Sequence, residues 1–144
     1  MPPDFWLDIG RLAGAYLLCL IIGWDREREA HSAGVRTFPI VGMASCGYIL
    51  IIGSVTDGAA QSRVLQGLIA GIGFVGGGAI LKDGINVRGL ATAARIWNAG
   101  VIGAAMAMNR FSIAVALSLL NLFTLRALLP LKTHLDRDTH PDHT

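Results

Sequence analysis

The chain has 144 residues, a length that fits one domain and leaves no room for a second hydrophobic core. Hydrophobic residues make up 53% of it and charged residues 15%, against about 25% charged residues in a soluble domain. This composition predicts a protein embedded in a bilayer, and the net charge of +2 is too small to indicate nucleic-acid binding.

Five apolar segments predict five transmembrane helices, because each approaches the length of about 20 residues that a bilayer requires. The segments are 5–24, 38–55, 64–81, 89–108 and 111–131. The fourth carries Arg95 and Asn98, and the number of spans falls to four if this segment is re-entrant. We therefore expect an all-α membrane protein. Its transmembrane domain covers 1–131, and the polar tail 132–144 is expected to be disordered and cytoplasmic.

The basic residues predict which side of the membrane each loop occupies, because cytoplasmic loops carry an excess of Lys and Arg. The first loop, the third loop and the tail carry Arg26, Arg28, Arg36, Lys82, Arg88, Lys132 and Arg137. The opposite side carries Arg11, Arg63 and Arg110. This distribution predicts an outer N-terminus and a cytoplasmic C-terminus. Asp4 and Asp8 argue against a cleaved signal peptide, so we expect the first segment to be retained.

Glycines crowd the third segment and predict close helix packing, because helices in lipid associate through van der Waals contact and polar bonds. We expect the third and fourth segments to form a tight hairpin. A homodimer through the same small-residue surface is a further expectation. A hinge, or backbone carbonyls that line an ion path, is the alternative reading of these glycines. The predicted packing residues are Gly67, Gly71, Gly73, Gly76, Gly77 and Gly78.

Charged residues at the predicted cytoplasmic edge are candidates for an interaction site. Residues 25–29 alternate in sign, which fits either a solvated helix end or a contact site for a partner, a headgroup or a cation. Arg95 lies inside the fourth segment, where it either snorkels to the interface or pairs with an acidic residue. The acidic residues in reach are Asp83, Asp25 and Glu27.

The sequence contains none of the common catalytic or metal-binding motifs. We find no G-x-S-x-G, no H-E-x-x-H, no Walker loop and no Cys/His ligand cluster. Cys19 and Cys46 lie within apolar segments and are interpreted as packing residues. We therefore predict no enzymatic activity, no cofactor and no metal site.

Five motifs in order resemble the membrane domain of the bacterial MgtC/SapB family. They are GWDRER at 23–28, AGVRT at 33–37, Asp57 followed by Arg63-Val64, GIGFVGGGAIL at 71–81 and VRGLATAARIW at 87–97. Together they cover about residues 10–108. Asp25 stands for the usual Glu, Ala91 for a Thr, and Arg95 for a small residue. Phe38 follows Arg36-Thr37 where His is common.

The resemblance implies a multi-pass inner-membrane protein linked to magnesium limitation and, in pathogens, to survival inside host cells. Larger members carry a C-terminal soluble domain, which we do not expect here. Our first hypothesis is a non-enzymatic regulator, a homodimer or a component of another inner-membrane complex. The second is an ion or small-solute conduit formed by an oligomer. The candidate interaction residues are Asp25, Arg26, Glu27, Arg28, Arg36, Thr37, Asp57, Arg63, Asp83, Thr92, Arg95 and Trp97.

Overall fold

Five helices make up most of the structure, a computed structural model that describes residues 4–27, 34–84 and 86–139. The helices are α1 (Phe5–Glu27), α2 (Thr37–Gly53), α3 (Gly58–Gly78), α4 (Leu90–Ala107) and α5 (Phe111–Thr139). Two short strands, β1 (Leu81–Asp83) and β2 (Asn86–Arg88), lie between α3 and α4. The prediction of a largely α-helical chain with five helices is confirmed.

Two helix boundaries differ clearly from the prediction. The third helix begins at Gly58 rather than at 64, because the Asp57 side chain accepts a hydrogen bond from the Ala59 backbone N–H and caps it. The fifth helix continues to Thr139 rather than ending at 131. The helix passes through Pro130, which is a common stop signal, and residues 132–139 contain neither glycine nor a second proline. Residues 140–144 of the predicted tail lie outside the described residues.

The link between α3 and α4 forms an antiparallel hairpin where the sequence predicted only a polar loop. Leu81 pairs with Arg88, and Asp83 pairs with Asn86. Gly84 begins the two-residue turn with φ of +60°, a conformation that favours glycine and that hairpin turns require. The glycine after Asp83 was the signal for this hairpin in the sequence.

The fourth helix lies at the centre of the bundle and packs against the other four. It is continuous over 18 residues, without the break that the re-entrant alternative would introduce. Its buried residues include Ile96, Ala99, Gly100, Ile102 and Gly103. By contrast, α3 contributes one buried residue among those described, Gly76, and therefore lies at the periphery.

Close packing in the core occurs at glycines other than the predicted set. A Cβ added to Gly103 would overlap the Gly42 carbonyl oxygen, so these two residues mark the closest approach of α4 and α2. A Cβ added to Gly42 would overlap the Cys19 sulfur of α1. Cys19 and Cys46 are both fully buried, which is consistent with their interpretation as packing residues.

Polar side chains add hydrogen bonds between the helices. The Ser118 hydroxyl on α5 donates to the Leu18 carbonyl on α1 at 3.1 Å. The Asn98 amide on α4 donates to the Leu117 carbonyl on α5 at 3.5 Å, which joins these two helices. Each bond joins two helices through a side chain and a backbone carbonyl.

One helix segment in the described part of the chain, Phe5–Trp24, is both long and apolar enough to cross a membrane by these two criteria. Only 17% of this apolar stretch is buried within the bundle, so most of the helix faces outward. Thr37–Gly53 and Phe111–Thr124 are apolar but shorter.

Candidate functional site

One end of the bundle, here called the hairpin end, brings together residues 23–27, 34–38 and 76–96. Short connections reverse the chain between successive helices, so the end of α1 meets the start of α2 and the end of α3 meets the start of α4. A Cβ on Gly23 would lie 3.0 Å from the Gly34 oxygen, which shows how closely the first two helices approach here. Gly89, with φ of +91°, turns the chain from the hairpin into α4.

Two polar residues face the bundle interior at this end. Thr92 and Arg95 are three residues apart on α4 and therefore share a helix face. Thr92 is only 5% exposed, and Ile96 on the same side is 1% exposed. Arg95 is half-buried and its Nη1 atom is inaccessible to solvent. An arginine held this way differs from one that snorkels freely to the interface.

Charged side chains at the hairpin end lie at the surface. Arg36, Lys82, Asp83 and Arg88 are all exposed. Thr37 is half-buried and begins α2, while the preceding Arg36 occupies the N-cap position without a side-chain cap bond. Instead, the Thr37 backbone N–H donates to the Gly34 oxygen at 3.1 Å.

Three of the predicted site residues can be located only in part, and a fourth, Arg28, lies outside the described residues. Asp25, Arg26 and Glu27 belong to the last turn of α1, which places their backbone at the hairpin end. Their side chains, and the whole of Arg28, lie outside the described part of the structure.

Three other predicted site residues lie elsewhere. Asp57 and Arg63 are at the opposite end of the bundle, where Arg63 Nη2 lies 3.8 Å from Asp57 Oδ2 between exposed side chains. Trp97 is 49% exposed on α4 and does not share the interior face of Thr92 and Arg95. The motifs therefore mark two ends of the molecule rather than one site.

Most of the predicted packing glycines make no close contact with another helix of the chain. Only Gly76 is in close contact, since a Cβ there would lie 3.2 Å from the Ala93 oxygen on α4. The other five have open space, because α3 is peripheral. They are Gly67, Gly71, Gly73, Gly77 and Gly78.

Two of these glycines line a cleft of about 390 Å³ between α2 and α3. Gly67 and Gly71 form part of one wall, and Ser45 and Tyr48 lie among the residues opposite. The Ser45 hydroxyl donates to the Val41 carbonyl of its own helix at 2.8 Å. This cleft is mainly apolar, so it suits lipid or another helix rather than a charged ligand.

A polar network lies at the end opposite the hairpin, among residues that were not predicted as site residues. Arg11 Nη1 lies 2.8 Å from Asp8 Oδ1, and Arg11 Nε donates to Asn109 Oδ1 at 3.0 Å. The spacing of three between Asp8 and Arg11 on a helix was the available signal. Asn109 could not have been foreseen, because it lies 98 residues further along the chain. Among the described residues, no three His, Cys, Asp or Glu side chains cluster as metal ligands would.

Comparison with known proteins finds relatives over most of the chain. Protein MgtC of Brucella abortus (strain 2308) is 39% identical over 92 residues, which are 64% of this chain and 39% of that protein. Protein MgtC of Salmonella typhimurium (strain LT2) is 35% identical over 109 residues, or 76% of this chain and 47% of that protein. An uncharacterised protein of Synechocystis is 32% identical over 126 residues, or 88% of this chain and 54% of that protein.

The chain thus spans about half the length, or less, of these curated relatives. No solved structure matches it. The model of the MgtC family matches residues 12–134, which include all five motifs and the central helix α4. The chain therefore belongs to the MgtC family.

Proposed function

We propose that this protein is a multi-pass inner-membrane protein that regulates other membrane machinery without catalysing a reaction. Its role would lie in adaptation to magnesium limitation or stress, including virulence, as the family resemblance implies. The observation that carries the proposal is a helical bundle with an apolar exterior and a charged hairpin end.

The exterior supports a membrane location. Large apolar side chains are exposed on all five helices, as in Trp6 (72%), Ile51 (72%), Phe74 (85%), Leu90 (59%) and Phe123 (66%). Water would destabilise apolar surface on this scale, whereas lipid solvates it. The helix Phe5–Trp24 has the length of a full span, and the shorter helices pack beside it.

The hairpin end supports a regulatory role. Its exposed residues include both signs of charge, and short connections hold them on the ends of packed helices. A mixed-charge surface selects a partner by electrostatic complementarity, which sets specificity and association rate more than affinity. Buried Thr92 and half-buried Arg95 lie at this end of the central helix, so a contact made here would act directly on α4.

Neutralising Arg26 and Arg28 together tests this proposal in a deletion strain grown at low magnesium. We expect the double variant to behave like the deletion, with unchanged protein in the membrane, because the partner contact loses two positive charges. Arg36→Gln should weaken the phenotype in the same direction. Arg110→Gln, an exposed arginine at the opposite end, is the matched control and should complement fully. Full complementation by the double variant would rule out this surface.

An oligomeric conduit is the alternative function, and the outward glycines of α3 favour it. The core of one chain is closed where Gly103 meets Gly42, so a path would have to form between copies. Flux of magnesium, protons or potassium into sealed liposomes that contain the purified protein would support the conduit. Vesicles that leak no faster than empty ones would exclude it.

We also propose a homodimer through the outward face of α3. Gly73 has open space around it and lies outside the α2–α3 cleft, so a cysteine fits there without disturbing the fold. Because both native cysteines are buried, Gly73→Cys should give an oxidised dimer in membranes. Leu17→Cys, exposed on α1, is the control and should remain monomeric. Equal cross-linking at both positions would indicate random collision instead of a specific contact.

A further inference from the structure

A second cleft, of about 630 Å³, opens at the end of the bundle opposite the hairpin. The first turns of α1 and α3 form its sides, and the last turns of α2 and α4 form its floor. Its polar and charged lining consists of Asp4, Asp8, Arg11, Ser54, Gln61 and Ser62. None of the proposed regulatory residues at the hairpin end contributes to it.

The charges in this cleft are of both signs and are held in place. Arg11 is only 19% exposed along its side chain, and its bonds to Asp8 and Asn109 fix the guanidinium at the cleft wall. Those two bonds use two of the five N–H groups that a guanidinium carries. The Asp8 carboxylate pairs with this guanidinium, and Asp4 adds a second carboxylate to the cleft lining. The carboxylates would repel a purely anionic ligand, and Arg11 would repel a purely cationic one. A compact zwitterion complements both signs of charge.

The floor of the cleft is apolar. Ile49 and Ala107 are each 7% exposed, and Leu50 and Leu65 are half-buried. The neighbouring Trp6 is 72% exposed at the start of α1, as expected of an aromatic residue at a membrane interface. A charged rim above an apolar floor suits an amphiphile whose polar headgroup contacts the rim and whose apolar part contacts the floor.

We propose that this cleft binds a phosphate and a primary ammonium joined by a short linker, as the headgroup of phosphatidylethanolamine presents them. The ammonium donates hydrogen bonds to Asp4 and Asp8, and the phosphate accepts from Arg11. The acyl chains leave across the apolar floor. The inference rests on the proposed membrane location, but it concerns a different end of the molecule from the regulatory surface.

Native mass spectrometry of the purified, delipidated chain tests the proposal by titration with three lipids. Phosphatidylglycerol lacks the ammonium, and the quaternary ammonium of phosphatidylcholine has no N–H to donate. We expect the first phosphatidylethanolamine to bind about tenfold more tightly than either, the effect of one charge-assisted hydrogen bond. Free phosphoethanolamine, added as competitor, distinguishes a soluble ligand from a lipid. If free phosphoethanolamine displaced phosphatidylethanolamine at a similar concentration, the ligand of the site would be the soluble compound rather than the lipid.

Variants connect this preference to the cleft. Arg11→Gln and Asp8→Asn should each weaken phosphatidylethanolamine binding about tenfold, and Arg110→Gln, outside the cleft, should leave it unchanged. Ser62→Phe fills the cleft from an exposed position without touching the charged network, so it stays informative if Arg11→Gln fails to fold. Equal binding of all three lipids, or a preference that survives in every cleft variant, would overturn the proposal. Membrane fractionation checks location separately, so a protein found in the membrane without this preference defeats this inference alone.

Discussion

Gly42 and Gly103 show how single residues set the spacing of this bundle. Each occupies a point where another helix leaves no room for a side chain. At Gly100 the neighbour is the flexible end of the Ile72 side chain, whereas at Gly103 it is the backbone of α2. By contrast, Gly73 on α3 has nothing within 4 Å of an added Cβ. Close packing therefore requires glycine at positions 42 and 103 but not at position 73.

Gly103→Ala should destabilise the protein by about 1–3 kcal/mol, because the new methyl group would press on the backbone of α2. Gly73→Ala is the control. An added methyl group at position 73 meets no neighbouring atom. Gly73→Ala should therefore be neutral, or stabilising by up to about 1 kcal/mol because alanine favours the helix more than glycine does. Thermal unfolding in detergent measures both changes. An equal melting temperature for Gly103→Ala and the unmodified protein would contradict the observed α2–α4 contact.

Most of these contacts could not be predicted from the sequence. Glycine repeats were visible in α3, but a repeat shows only that a helix can be approached closely, not which helix approaches it. The dense cluster at 76–78 contributes one contact, at Gly76, whereas isolated Gly42 contributes to the core. Asn98 was predictable because a polar amide in an apolar segment requires a partner. Its acceptor, the Leu117 carbonyl, was not.

At the scale of secondary structure elements, α3 is the helix whose role changes most. It begins six residues before the predicted start at 64, since it starts at Gly58, and it lies outside the core. Asp57 stabilises that start, because its Oδ1 accepts from the Ala59 N–H at 2.9 Å. Asp57, which belongs to one of the five motifs, thus has a structural role as the N-cap of α3.

Replacing Asp57 tests this capping role. Asp57→Ala should destabilise the first turn of α3 by about 1 kcal/mol, because an N–H loses its acceptor. Asp57→Asn should retain most of the stability, since asparagine caps equally well. Hydrogen exchange at residues 58–61 reports the difference. If Asp57→Asn exchanged as fast as Asp57→Ala, charge pairing with Arg63 rather than capping would be the dominant effect.

At the scale of the whole molecule, the charges divide between the two ends of the bundle. The hairpin end carries Arg36, Lys82 and Arg88 at the surface. The opposite end combines Asp8 and Arg11 with the turn between α4 and α5. This division follows from the alternating direction of successive helices, and it gives each end its own chemistry.

Cysteine labelling tests the membrane orientation. Ser54 and Lys82 are exposed at opposite ends, while both native cysteines are buried and should react slowly. In intact spheroplasts, a membrane-impermeant maleimide should label Ser54→Cys at once and Lys82→Cys only after permeabilisation, as positive charge on the cytoplasmic side requires. The reverse pattern would place the hairpin end outside, and labelling of both from one side would exclude a spanning bundle.

The sequence by itself determined the family, the number of helices and the apolar character of the chain, because composition, segment length and local motifs are encoded over short distances. Only the tertiary structure showed that α4 is central, that α3 presents its glycines outward, and that Arg11 meets Asn109. These facts depend on which helix faces which, and apolar surfaces of similar hydrophobicity do not specify their partners. Shape complementarity decides among them, as at Gly42 and Gly103, and it exists only once the helices are brought together.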